Sequence, residues 1–391
     1  MKKLKETIMK KLNRIGFFLL LMMAQTAFAQ RYVDNIDRGL VVIPANTNGG
    51  SSSGNFISWR VFGEEYYDVT YNLYANGSKI ASNLEASNYV HAGGNLSTKY
   101  QVAPVVRGVE KDKCDYVTCW SSGCLQIPVQ SITGRDGTDV TSNYTINDIA
   151  IGDLNGDGVV EFIAKRPCGV AADPSQSNCF HVLDAYDRFG NRLWWIDLGP
   201  NMLSGADEQW DCVCYDWDQD GKAEVLLRGQ DNMIIHHADG TTTTIGSTTV
   251  DTRWDGIEYT SSGNEYLLYL EGVTGKPYQI GPTSHPDYMD YPNPRGQDSD
   301  WGSGIVGHRS TKHYFAAPYL DGRKPSIFLG RGCYTKHLMK AYDVNPTTHK
   351  LIQRWAWECS VGGYGLDRDI IISKWPMSIG MAVMRLFLVR W

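Results

Sequence analysis

Two acidic loops of matching pattern stand 63 residues apart in this chain, each set between short β-branched runs, and no other feature limits the fold as strongly. The first copy is DIAIGDLNGDGVVEFIAK from Asp148, and the second is DCVCYDWDQDGKAEVLLR from Asp211. Both read D-x-[DN]-x-D-G-x-x-E. The residues are Asp153, Asn155, Asp157, Gly158 and Glu161, then Asp216, Asp218, Asp220, Gly221 and Glu224. Oxygen ligands spaced in this way, with Gly turning the backbone, make a cage for a hard cation. Calcium, which takes about six to eight oxygens, suits it better than magnesium. An EF-hand would carry its last acid further on, between two helices. Here the flanks alternate as strands, so each loop is expected to join two strands. The same residue types also suit metal-free turns, but two copies with matched ligands favour the cation.

A degraded third copy, FAAPYLDGRKPSIFLGRG, begins at Phe315. Between the copies lie strand–turn–strand runs of another kind: HVLDAYDRFGNRLWWIDLG from His181, EYLLYLEGVTGKPYQIG from Glu265 and HLMKAYDVNPTTHKLIQRWAWE from His337. The 391 residues include 40 Gly and 45 aromatics, and no helical period separates the runs. The expected class is all-β, with sheets repeating as propeller blades over residues 148–365. Ahead of them, FISWRVFG, VTYNLYANGSKIAS and KYQVAPVVRG are short strand-like runs punctuated by Asn76-Gly77 and Gly93-Gly94. They predict a small fibronectin-like β-sandwich over 30–128. Residues 129–147, rich in Thr, Ser, Asn and Gly, form a linker.

The first 29 residues read as an export signal. Lys2, Lys3, Lys5, Lys10, Lys11 and Arg14 precede the apolar core Ile15–Met23, too short to span a bilayer, and Ala27-Phe28-Ala29 is an A-x-A cleavage site. Met9 is an alternative start. The mature chain is expected in the periplasm or outside the cell, as a monomer with no membrane span. A net charge of −6 argues against a nucleic-acid partner. Nine cysteines are an odd number, so one stays unpaired if the others bridge. Cys114, Cys119 and Cys124 lie close together, as do Cys168 and Cys179, while Cys212 and Cys214 share a strand face; the pairing stays open. His236-His237 and Trp194, Trp195, Trp355 and Trp357 are expected to be structural. No nucleophile elbow, HExxH, P-loop or dinucleotide fingerprint stands out.

Taken in order, RGLVVIP, FISWRVFG, YNLYANGSKI, VAPVVRG, IGDLNGDGVVEFIAK, DAYDRFGNRLWWIDLG, YDWDQDGKAEV, YLDGRKPSIFLGRGCYTK and LIQRW resemble bacterial rhamnogalacturonan lyases of the large calcium-binding β-propeller type, polysaccharide lyase family 11. The resemblance implies an eight-bladed propeller, of which this chain would hold part, with calcium ions tying down its loops. It implies cleavage of rhamnogalacturonan I, the anionic plant cell-wall polysaccharide, by β-elimination. By the same resemblance a base takes the C5 proton of galacturonate, calcium and cationic groups neutralise the carboxylate, and the O4 substituent departs to leave a 4,5-unsaturated uronate. By resemblance Asp153, Asn155, Asp157, Glu161, Asp216, Asp218, Asp220 and Glu224 are metal ligands, and Asp173, Arg309, Arg331, Tyr334 and Lys336 contact the sugar. Ser175 and Gln176 accompany Asp173. Two stretches depart from the family pattern: Arg166-Pro167-Cys168-Gly169-Val170, and Ser303 after Trp301-Gly302. No catalytic residue is assigned. The competing reading is a non-enzymatic, calcium-dependent glycan-binding or adhesion-type propeller.

Residues 366–391 fit neither strand nor repeat. Read one base out of register, codons can be chosen so that Asp367 to Trp391 spell GQGYHNLQVADVDWDGCDEIVFGAM, a further acidic loop. The expectation is a frameshift near Gly365, leaving an inactive fragment.

Overall fold

The computed structural model describes residues 32–47, 53–63, 65, 68–203, 212–253, 263–278, 309, 311–332 and 336–360, without the side chains of 336, 337 and 358–360. The expected export signal over 1–29 and the expected frameshifted tail over 366–391 lie outside the described residues. Strands carry the described fold, with a 3-10 turn at Thr141–Asn143, and Ile132 and Val140 of the expected linker are buried against Cys168, Cys179 and Val182. Among the described residues no helix is long and apolar enough to cross a membrane.

Two antiparallel sheets share the first core. One is ordered β1 (Val41–Pro44), β2 (Asn55–Ser58), β5 (Asn88–His91). The other runs β4 (Ser78–Leu84), β3 (Val69–Ala75), β6 (Tyr100–Val106), β7 (Val109–Glu110). Val42, Ile57, Trp59, Tyr71, Leu73, Tyr100 and Val102 fill the space between them. Asn76 and Gly77 both take positive φ, +49° and +83°, in the turn between β3 and β4. A two-residue turn of that kind matches the right-handed twist of its flanking strands.

Three sheets follow. The first is a meander of β8 (Ile149–Gly152), β9 (Glu161–Arg166), β10 (Val182–Tyr186) and β11 (Arg192–Asp197). The second contains β12 (Cys212–Tyr215), β13 (Glu224–Gln230) and β16 (Glu265–Leu270). The third is a meander of β17 (His313–Ala316), β18 (Ile327–Arg331), β19 (Lys336–Val344) and β20 (Leu351–Ser360). After β13 the chain crosses back, and β14 (Met233–His236) pairs with β11 and with β15 (Thr242–Ile245), widening the first sheet to six strands.

The period of two explains the stacking. Every residue of β13 is buried. Its Val225 and Leu227, with Leu268 and Leu270 of β16, enter a core shared with Ile163, Leu183, Trp194 and Ile196 of the first sheet. Its Leu226, with Leu267 and Tyr269 of β16, enters a second core shared with Ile327, Leu329 and Leu338 of the third sheet. Alternate side chains on one strand point to opposite faces, so this near-continuous apolar run serves two interfaces. Full burial of one such aliphatic side chain contributes about 1.5–3 kcal/mol as an upper estimate. Trp194 bolts the first interface: its indole N–H donates to Gly272 O at 2.6 Å.

Candidate metal centre

Both acidic loops form the turn between the first two strands of a sheet, β8–β9 and β12–β13. In the second, Asp216 orders the backbone. Its Oδ1 accepts from Asp220 N–H at 3.1 Å and its Oδ2 from Gly221 N–H at 2.8 Å. Asp218 Oδ1 accepts from Asp220 N–H at 3.0 Å, and Asp220 Oδ1 from Lys222 N–H at 2.8 Å. Gly221 stands at φ +92°, a conformation costly for a residue with a Cβ. The result is convergence: carboxylate oxygens from Asp216, Asp218, Asp220 and Glu224 all lie within 4.8 Å of one another.

Asp216, Asp218 and Glu224 are buried and Asp220 is exposed. Burial pushes the Glu224 carboxyl up to about 9; a hydrogen bond from Tyr269 opposes this, and the charges of Asp218 and Asp216 add to it. Asp216 and Asp218 are also raised, burial being the largest cause. Asp218 Oδ2 is buried with no hydrogen-bond donor. His349 Nδ1 lies 2.8 Å from it, without the alignment of a hydrogen bond, and the His349 ring stacks on Tyr278 at 4.1 Å. Among the described residues these four gathered acids, three of them buried, have His349 as their one ion-pair partner, at Asp218, and one imidazole cannot balance four carboxylates. A divalent cation held by Asp216, Asp218, Asp220 and Glu224 supplies further positive charge, and the all-oxygen donor set fits a hard ion.

The first loop has the same backbone plan without the same convergence. Asp153 accepts from Gly156 N–H and Gly158 N–H, both at 2.8 Å, and Glu161 Oε2 accepts from Leu154 N–H at 2.8 Å. The Asn155 amide donates to Glu161 Oε1 at 2.9 Å and thus occupies an oxygen that would face an ion. Burial pushes Glu161 up to about 7, with help from Asp157 and Asp153. In the third copy Asp321 Oδ1 caps Arg323 and Lys324 N–H in a plain turn.

The three turns lie together, and sequence reasoning missed what joins them. A methyl group added at Gly156 would come within 3.0 Å of Gly221 O. Ala223 N–H donates to Asp153 O at 2.7 Å. The segment from Tyr32 straps across all three. Its N–H donates to Arg323 O at 2.6 Å, its hydroxyl donates to Asp216 Oδ2, and Asp37 N–H donates to Gly158 O at 2.6 Å. Burial, with Asp216 and Asp153 nearby, pushes Asp34 up to about 6. Tyr32, Asp34, Tyr269 and His349 therefore belong to this site. Only Tyr269 left a trace in the sequence, as a hydroxyl in a strand buried on both faces, where it needs a partner.

The residues expected to meet sugar lie elsewhere. Asp173 is on the β9–β10 connection and Arg331 ends β18, so both sit at the sheet ends opposite the acidic turns. Asp173 Oδ1 accepts from Ser175 N–H at 2.8 Å and from its hydroxyl at 2.7 Å. Arg253 holds the same connection, donating to the carbonyls of Ala171, Asp173 and Gln176 at 2.9, 2.8 and 2.6 Å. Arg331 is buried, with Nη1 2.6 Å from Glu265, whose other oxygen is 2.7 Å from Arg228. Arg309 stands in a turn before β17. Lys336 opens the backbone of β19; its side chain, Tyr334 and Ser303 lie outside the described residues. Trp194 is core, Trp195 stacks on His236 at 3.7 Å, and His237 Nε2 is 2.8 Å from the Thr243 hydroxyl.

Fold and site together define an all-β protein with an acidic turn able to hold a metal ion. Residues 31–120 match the beta-sheet domain of rhamnogalacturonan I lyases, and residues 122–367 match the C-terminal domain of rhamnogalacturonan lyase family 11. The chain belongs to rhamnogalacturonan lyase family 11. It is 33% identical over 339 residues to the rhamnogalacturonan endolyase YesW of Bacillus subtilis, covering 86% of this chain and 51% of that protein. Identity to the exolyase YesX of the same organism is 31%, over 86% and 52%. The YesX crystal structure superposes with a TM-score of 0.67 at 29% identity, over 84% of this chain and 52% of that one. A Bacillus licheniformis lyase gives 0.66 at 31%, over 84% and 53%. The chain spans about half the length of the curated relatives it matches.

Proposed function

We propose that this protein takes part in cleaving the rhamnogalacturonan I backbone by β-elimination, with calcium in the 216–224 turn. The two family matches, over residues 31–120 and then 122–367, carry the reading. A base removes the C5 proton of galacturonate, positive charge on the carboxylate makes that proton more acidic, and the O4 bond breaks to leave a 4,5-unsaturated uronate. Asp173, Arg309, Arg331, Tyr334 and Lys336 are the proposed sugar-side residues. Arg331, buried against Glu265, acts there through its charge and by holding β18. The calcium of the 216–224 turn lies at the other end of the sheets, so its proposed role is to fix the turns and the Tyr32 strap. Asp153, Asn155, Asp157 and Glu161 are proposed as a second calcium site in which Asn155 rotates away from Glu161.

The finer architecture belongs to the same proposal. A sheet of the first, second and fifth strands facing one ordered fourth, third, sixth, seventh supports a fibronectin-like sandwich. Successive sheets stacked face to face, the middle one buried on both sides, support propeller blades. Export by residues 1–29 is part of the proposal too. The test is incubation of the purified protein with rhamnogalacturonan I and calcium, followed by ultraviolet absorbance of the unsaturated uronate. Absorbance that rises with time supports the reading. Binding of the glycan without absorbance favours a glycan-binding module instead.

A further inference from the structure

Cys168 and Cys179 are both buried, at the two feet of the β9–β10 connection, with their sulfurs 3.6 Å apart. The Cys168 foot is held by contacts of its backbone, and the Cys179 foot by a contact to its sulfur. Cys168 N–H donates to His181 Nδ1 at 3.0 Å, and Cys168 bridges Tyr144 as an isolated antiparallel pair. The Asn143 amide lies 3.5 Å from Cys179 Sγ. Around them Ile132, Val140, Ala171, Val182 and Leu203 form a small apolar cluster. A disulfide needs the sulfurs at about 2.05 Å, so they must close by about 1.5 Å from their present separation. Forming the bond removes the weak thiol contacts from Cys168 to Cys179 O at 3.8 Å and to the Cys179 sulfur.

We propose that Cys168 and Cys179 are joined by a disulfide that closes the 168–179 connection. As the chain folds, the thiolate of one cysteine attacks a sulfur of a disulfide oxidant, such as oxidised glutathione, and expels a thiolate. The second cysteine, deprotonated in turn, attacks the mixed disulfide and expels the other thiolate. Two cysteine sulfurs are oxidised, the oxidant is reduced to two thiols, and the two cysteine protons pass to solvent or to those thiols. Burial raises the Cys168 thiol, and exchange proceeds through the thiolate. The closed segment carries Asp173, Ser175 and Gln176, whose carbonyls or neighbours Arg253 already clamps from the other side. Bond and clamp together would restrict the conformations open to that segment.

Trypsin does not cut before Pro167, and no Lys or Arg lies between Cys168 and Cys179, so both cysteines fall in the single tryptic peptide Arg166–Arg188. The full chain, folded in a glutathione redox buffer, is denatured with an alkylating agent and no reductant, digested and weighed. The expected peptide is two hydrogens lighter than its dithiol form, takes no alkyl group until reduced, and stays joined after cleavage before Asp173. A peptide carrying two alkyl groups, or either cysteine bonded elsewhere, overturns the proposal. Reductant should also lower the Tm of the chain by several degrees, and the Cys168→Ala/Cys179→Ala variant should lose that response. A variant that responds as fully as the parent places the reducible bond at other cysteines and overturns it as well. Should the variant not fold, the peptide mass alone decides.

Discussion

The Tyr269 hydroxyl, carried on the middle strand pair, donates to Glu224 Oε2 at 2.7 Å in the turn that opens β13. Trp217 N–H donates to the same oxygen at 3.1 Å. Glu224 is thus fixed by a neighbouring strand and by its own loop before any ion arrives. Tyr269→Phe leaves the ring in its core and removes one donor from a buried carboxyl. The expected cost is about 1.5–3 kcal/mol, since hydrogen bonds to charged groups are the stronger ones. Denaturant titration in calcium checks it; an unchanged midpoint and slope would show that Tyr269 does not support the turn.

The metal-free protein should lose stability as pH rises. Glu224 is pushed from 4.5 to about 9 in the fold. A raised carboxyl pKa contributes stability that is present below the unfolded value and is lost as pH rises through the folded value. In chelator, Tm should therefore fall between about pH 5 and about pH 9, and Glu224→Gln should flatten that fall. With calcium the trend should reverse over the same range, because binding displaces the protons and stabilises the native state by mass action. Parallel Tm curves with and without chelator would contradict this.

Glu265 links two buried guanidiniums, Arg228 at 2.7 Å and Arg331 at 2.6 Å, and so couples the second sheet to the third. Glu265→Gln removes the carboxylate between them. Breaking a buried pair in this way costs about 3–5 kcal/mol. Thermal unfolding of the variant reads it, and a loss below about 1 kcal/mol would show that other groups neutralise both arginines.

Trp194 fills the first interface and donates to Gly272 O. Trp194→Ala should cost about 3–5 kcal/mol through the cavity and the unmet carbonyl. Calorimetry that finds the variant within about 1 kcal/mol of the parent would mean the first two sheets hardly depend on each other.

Local signals were legible in the sequence where their cause is local. The Asn76-Gly77 turn and the Gly221 turn follow from backbone freedom at those residues. The apolar runs VLL and YLLYL, without polar alternation, fit strands buried on both faces. Contacts that depend on distant partners left no such trace. Nothing in MIIHHADGTTTTI says that β14 will leave its own sheet for the edge of β11. Tyr32 reaches Asp216 across 184 residues, and no local pattern marks it. The two acidic loops read alike, yet the four carboxylates gather in the second, while in the first position 3 is an amide, Asn155, bonded to Glu161. Arg331 attracted notice as a cation near an anionic sugar; its ion pair with Glu265, 66 residues earlier, depends on the third sheet packing against the second.

The most direct measurement is calcium titration by calorimetry into chelator-stripped protein, with Asp218→Asn run beside it. The four acids of the 216–224 turn should give saturable binding in the parent, released protons that scale with buffer ionisation, and loss of that site in the variant. An absence of binding heat in the parent, or equal binding by both proteins, would contradict the metal centre.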